Sequence, residues 1–145
     1  MKYQKYPSRD AVTNYFPMPK EIFYFGLNAY EIAIYCYLMY CEDRKTYTCY
    51  PSMNTIARAL RLSRNTIMKY VNSLEEKHLI TTQRSTYRNR KYGKENGNLL
   101  YRINPVEEVK NYQIAQQIQA NELRMLKAKV DKRKRARSSD GHNPT

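Results

Sequence analysis

The side chains in this sequence best equipped for specific polar recognition stand close together: Arg64, Asn65, Thr66 and Lys69, within the run RLSRNTIMKYVNSLEEKHLI at residues 61–80. The chemistry they offer is hydrogen bonding rather than bond making. Arginine presents a rigid fork of donors, lysine a mobile cation, and asparagine a paired donor and acceptor. Covalent chemistry has no comparable support. The sequence holds no glycine-rich phosphate loop, no Ser or Cys nucleophile set beside a suitable His, and no acid cluster for two metals. No enzymatic activity is expected. Cys36, Cys41 and Cys49, with only His78 and His142 for company, lack the spacing of a closed four-ligand zinc site, so neither a metal nor a cofactor is expected. Three cysteines with no CxxC pair and no secretory signal read as reduced thiols in a cytoplasmic protein.

Recognition needs these groups on one exposed face. At about 100° per residue from a helix start near Ser63, Ile67, Val71 and Leu74 fall on one side with Tyr70 beside them. Asn65, Lys69, Asn72 and Glu76 fall opposite, and Thr66, Met68 and Ser73 lie on the flanks. Any surface helix has a polar outer face, so this pattern alone defines only an amphipathic helix. The flanking elements carry the rest of the reading.

Before this helix, Asn28 and Glu31 have the spacing of a capping box and open a first helix from Ala29 to Cys41, whose uncharged run is about half the length of a bilayer span. That helix is apolar nearly all round and needs cover on more than one side. After a polar connection with a short strand near Thr46 to Cys49, Ser52 can cap a second, short helix with Ile56 and Leu60 inward. A turn at Arg61 and Leu62 leads to the third helix, which Ser63 can cap and which should run to about Lys77. The period then changes. LITTQ and the alternating Leu99, Tyr101 and Ile103 predict two strands joined by a long loop containing Gly93 and Gly97. Asn104, Pro105 and Glu107 signal another helix, with Asn104 as its cap and an irregular apolar stripe through Val106, Val109, Ile114, Ile118, Leu126 and Val130. The expected layout is a loose arm at 1–15, a domain at 16–104, a helix with a basic tail at 105–137, and disorder over 138–145.

Charge sharpens this picture. The chain of 145 residues carries 26 Lys plus Arg against 13 Asp plus Glu, a net +13, so polyanions are the expected partners. From Arg58 to Lys94 there are ten basic residues against two acidic, and from Lys127 to Arg137 seven against one. Residues 20–43 hold only Lys20 against Glu21, Glu31, Glu42 and Asp43. Fifteen Tyr and no Trp suit shallow cores and partly wet surfaces.

The run IARALRLSRNTIMKYVNSLEEKHLI resembles the signature of bacterial winged helix-turn-helix regulators. The wider stretch from YFPMPKEIF through YCEDRKTYTCYPSMNTIARAL is similar to helix-turn-helix proteins of Gram-positive mobile elements and to the N-terminal domain of the plasmid replication initiator A family. The resemblance covers roughly residues 15–104. It implies a mainly α fold with a small β-hairpin, a winged helix-turn-helix carrying a C-terminal helical extension, and binding to double-stranded DNA. Two positions depart from the pattern: Arg61 and His78 stand where the family usually has Gly. Either these turns use ordinary backbone angles, or Arg61 offsets its strain by reaching a phosphate.

The expected function is sequence-specific DNA binding in transcriptional control of a mobile element or in replication initiation. The alternative is a protein-interaction or RNA-binding module with the basic tail as a nonspecific polyanion contact. Arg64, Asn65 and Lys69 are the candidates for base edges, which present donor and acceptor patterns that Arg, Lys and Asn match. Ser52, Thr55, Arg58, Ser63, Thr66 and Tyr70 are better suited to phosphates, and Arg61 joins the DNA-binding set through the phosphate contact that would offset its strain. Arg88, Arg90, Lys91 and Lys94 would form a cationic wing. A homodimer through the first or the C-terminal helix is expected, and no membrane association.

Overall fold

The computed structural model describes residues 15–141, with backbone alone at 87, 89 and 94–96. The arm expected over 1–15 therefore lies outside the described residues except for Tyr15. A 3-10 turn at Lys20–Tyr24 leads to α1 (Ala29–Cys41), β1 (Thr48–Cys49), α2 (Met53–Leu60), α3 (Arg64–Glu76), β2 (Ile80–Asn89), β3 (Gly93–Ile103) and α4 (Val106–Asp140).

Each of the first three helices starts where a side chain can accept from its free N–H groups. Asn28 Oδ1 accepts from Glu31 N at 2.9 Å while Glu31 Oε1 accepts from Asn28 N at 3.2 Å, closing the capping box of α1. Ser52 Oγ accepts from Thr55 N at 3.0 Å, and Ser63 Oγ from Thr66 N at 3.2 Å. Such caps contribute about 1 kcal/mol each. The apolar spacing does more. Ile34 and Leu38 of α1, Ile56 of α2, and Ile67, Val71 and Leu74 of α3 are all buried in one core. Each such side chain contributes about 1.5–3 kcal/mol by leaving water.

The turns that end α2 and α3 take the strained option. Arg61 has φ 53° and His78 φ 65°, both left-handed without glycine, which costs about 1–2 kcal/mol per residue. Hydrogen bonds hold them there. Leu62 N donates to Ala57 O at 3.0 Å. At the end of α3, His78 N donates to Glu75 O and Leu79 N to Leu74 O, both at 3.0 Å, a Schellman arrangement with His78 in the position glycine usually fills. Tyr47 also has a positive φ, 57°, in the connection before β1.

The three strands form an antiparallel sheet in the order β1-β3-β2. Thr48 pairs with Arg102 and Cys49 with Tyr101, while Ile80 pairs with Ile103 and Asn89 with Gly93. The hairpin is longer than the sequence suggested. Residues expected in a long loop continue both strands, and only a tight turn at 90–92 separates them. A register shift between Arg84 and Thr86 lets pairing continue, because Ser85 on β2 there opposes two residues on β3, Gly97 and Asn98. Polar side chains hold this bulge: Ser85 Oγ donates to Asn98 O, and Asn98 Nδ2 donates to Tyr50 O at 3.2 Å.

Asn104 has partners that no local pattern reveals. Its buried side chain donates from Nδ2 to His78 O at 2.8 Å, and its Oδ1 accepts from Thr81 Oγ1 at 3.2 Å and Arg102 Nη1 at 3.3 Å. It thus joins the end of α3 to the sheet.

The chain divides between Val106 and Glu107 into two compact units. Taken alone, α4 is 35 residues long, about 52 Å at 1.5 Å per residue. Glu107 and Glu108 lie in its first turn and Arg137 in its last, as the helix dipole favours. The helix also takes in Ser138, Ser139 and Asp140, which the sequence placed in a disordered tail. The Ser138 and Ser139 hydroxyls donate to Arg135 O and Ala136 O at 2.9 Å, local bonds compatible with continued helix. Residues 142–145 lie outside the described set. Among the described residues no helix is long and apolar enough to cross a membrane.

Candidate nucleic-acid interface

The outward face of α3 is built from its inward one. With Ile67, Val71 and Leu74 fixed in the core, helix geometry turns Arg64, Asn65, Met68, Lys69 and Asn72 to solvent, and all five are exposed. Arg64, Asn65 and Lys69 thus share one accessible surface in the first half of the helix. Lys69 Nζ lies 5.2 Å from the Tyr70 ring centroid, and the Tyr70 ring stacks on Tyr30 of α1 with centroids 5.2 Å apart at 14°. That stacking makes Tyr70 a packing contact between α1 and α3 and a platform for Lys69.

The hydroxyl candidates have dual demands. Ser52 Oγ lies 2.7 Å from Thr55 Oγ1 and Ser63 Oγ 2.8 Å from Thr66 Oγ1, so all four groups are engaged in helix starts. Their caps fix where α2 and α3 begin, and a hydroxyl oxygen keeps a further acceptor site. Arg58 and Arg61 are exposed near the end of α2. Arg88, Arg90 and Lys91 are exposed around the hairpin tip, with Lys91 Nζ 5.1 Å from the Tyr92 ring centroid. Lys94 belongs to β3, and its side chain lies outside the described set.

A cleft of about 310 Å³ opens between the start of α2, the first half of α3 and β3, lined by Ser52, Asn54, Arg64, Met68, Asn98 and Leu99 among others. Asn54, Met68 and Asn98 were not singled out from the sequence. Asn98 owes its place to a bond with Tyr50, 48 residues away, which no local pattern reveals. Met68 had a signal: an apolar residue displaced from the inward stripe.

The other end of α3 is tied into the domain. Lys77 Nζ donates to Glu31 Oε1 at 3.0 Å, to Glu31 Oε2 at 2.9 Å and to Gly26 O at 3.1 Å. Ser73 Oγ donates to Glu31 Oε2 at 3.1 Å. Burial by itself pushes the Glu31 carboxyl upward, but Lys77, the Asn28 N–H and Ser73 outweigh it and hold the carboxyl below its ordinary value. Glu75 Oε1 accepts from Thr82 N at 3.0 Å and Thr82 Oγ1 at 2.8 Å, fastening α3 to β2. These bonds set the angle at which the free half of α3 leaves the core.

The cysteines take no part in this face. They are free thiols, and burial, with Cys41 and Glu42 nearby, pushes Cys49 up to about 12. Among the described residues no three His, Cys, Asp or Glu side chains gather in a way that could hold a metal ion.

Two helices joined by a tight turn, α2 and α3, follow a supporting α1 and precede a hairpin with a cationic tip: the fold is a winged helix-turn-helix with a long C-terminal helix. In keeping with this, residues 26–80 match the family model of a helix-turn-helix domain. No curated protein matches the chain. Similar solved structures include a possible transcriptional regulator from Methanosarcina mazei Go1, 20% identical over 72% of this chain and 80% of that one, with a TM-score of 0.45. S. aureus MepR in complex with DNA is 20% identical over 74% and 85% of the two chains, with a TM-score of 0.39. A mutant of Lactococcus lactis ZitR is 16% identical over 80% and 76%, also at 0.39.

Proposed function

We propose that this protein binds double-stranded DNA in a sequence-specific manner, with the first half of α3 in the major groove. The observation that carries this reading is the exposure of Arg64, Asn65 and Lys69 on one face of a helix whose opposite face is locked in the core. The major groove admits a helix, and bidentate contacts from Arg, Lys or Asn to base edges are worth about 1–3 kcal/mol of discrimination. Arg58, Arg61 and the capped starts of α2 and α3 flank that face, where contacts to phosphates fix register. Arg88, Arg90, Lys91 and Lys94 give the hairpin the charge to follow an adjacent backbone. The basic end of α4, from Lys127 to Arg137, adds sequence-independent attraction.

The protein acts as a homodimer on a two-part site. Ile114, Ile118, Leu123, Met125, Leu126 and Val130 are exposed along α4, and a second copy is the partner this helix supplies for itself. Exposed Tyr30 and Tyr40 make α1 the other surface available for pairing. The biological output is transcriptional control of a mobile element or assembly at a replication origin.

Selection of bound duplexes from a random library at physiological salt tests the reading. An enriched motif, arranged as an inverted repeat, with affinity falling steeply as salt rises, is the expected result. Equal recovery of all sequences, or tighter binding to RNA, overturns it.

A further inference from the structure

We infer that Met68 is a specificity-determining residue that reads the 5-methyl group of thymine; the inference rests on the DNA-binding reading above. Met68 is the one large apolar side chain on the exposed half of α3, and it remains 44% exposed. Scattered apolar residues are ordinary on protein surfaces, so its position is what counts. It lies one helical turn after Arg64 and one turn before Asn72, both exposed, on the flank that borders the cleft toward α2 and β3. Met68 stands about 6 Å further along the helix axis than Arg64, so a helix that sets Arg64 against one base pair carries Met68 toward a neighbouring one.

The chemistry of the side chain then selects its target. A thioether has no hydrogen to donate and is a weak acceptor, so it gains little from the polar edges of guanine, adenine or cytosine. Thymine alone presents a methyl group in the major groove. Methionine is also unbranched and adaptable, able to fold over that methyl while Arg64 keeps its own geometry. Leu99, half-buried, lines the same cleft and adds apolar surface to it. The recognised site therefore contains a thymine whose methyl group matters, at a fixed distance from the base pair contacted by Arg64.

The test replaces each thymine of the selected duplex in turn with deoxyuridine, which removes the methyl and leaves every hydrogen-bonding edge unchanged. Affinity is measured for the wild type, Met68→Ala and Met68→Leu. One thymine per half-site is expected to lose about threefold to tenfold in wild-type affinity on replacement, as burial of a single methyl group implies. Met68→Ala should bind the thymine duplex more weakly by a similar factor and no longer distinguish thymine from deoxyuridine there. Met68→Leu, which keeps apolar contact, should retain the distinction. If no position responds to the missing methyl although the motif is selected, or if Met68→Ala responds as strongly as wild type, the inference is wrong while DNA recognition stands. If no motif is selected at all, DNA recognition fails and the inference falls with it.

Discussion

The two halves of α3 are built for opposite ends. From Ser73 onward the helix and its cap are saturated with partners: Ser73 and Lys77 hold Glu31, Glu75 holds Thr82, and the turn at His78 is fixed by two backbone bonds and by Asn104. From Arg64 to Lys69 the outward side chains face solvent. One half spends its polar groups on the fold, and the other withholds them. A recognition element needs both, because an exposed face is specific only when the helix behind it is rigidly aimed.

The largest effect should come from striking the anchored half. Leu74→Ala removes a fully buried side chain and should lower the unfolding free energy by about 2–5 kcal/mol in urea titrations. Any loss of DNA binding should then track the fraction folded. Next is Glu31→Gln, which leaves Lys77 without its carboxylate. Lys77 is 35% exposed and can turn to water, so the expected loss is about 1–3 kcal/mol. Its pH dependence has a definite sign. A carboxyl held below its ordinary value stabilises the fold above the unfolded pKa and loses that contribution as pH falls through the folded one. The gap between wild type and Glu31→Gln should be widest above about pH 5 and shrink below about pH 4. A gap that grows on acidification would break the assignment.

The smallest effect sharpens the comparison from the other direction. His78→Gly relieves a left-handed residue and should stabilise the protein by about 0.5–1 kcal/mol, the gain from unstrained geometry being partly offset by a freer unfolded chain. Arg61→Gly should do the same for α2. In the proposed role of Arg61 it should also weaken DNA binding, so the two glycine variants part company in affinity. Equal affinities would remove Arg61 from the interface.

What the sequence made legible was local. Asn28, Ser52 and Ser63 announce their helices because a cap acts over three residues, and Ile67, Val71 and Leu74 define a face because helical period needs only one turn of context. Exposure of Arg64, Asn65 and Lys69 follows from that face. What escaped depends on partners far along the chain. Ser73 and Lys77 meet Glu31 across more than forty residues, and Asn104 meets His78 across 26. The tie that Asn104 makes to the end of α3 was therefore hidden in the sequence. The long hairpin escaped for a related reason: cross-strand pairing and a bulge at Gly97 and Asn98 carry polar, loop-like residues into strands. At Arg61 and His78 the departure from glycine was visible, but only the backbone angles show that the strained geometry is kept.

The most direct test of the exposed half is to repeat the duplex selection with Arg64→Ala and Lys69→Ala. Both variants should stay within about 0.5 kcal/mol of wild-type stability, as surface substitutions do. Each should lose preference at its own position of the motif, with affinity for the original site down by about 1–3 kcal/mol. If both select the wild-type motif with undiminished preference, base reading by this face of α3 is contradicted.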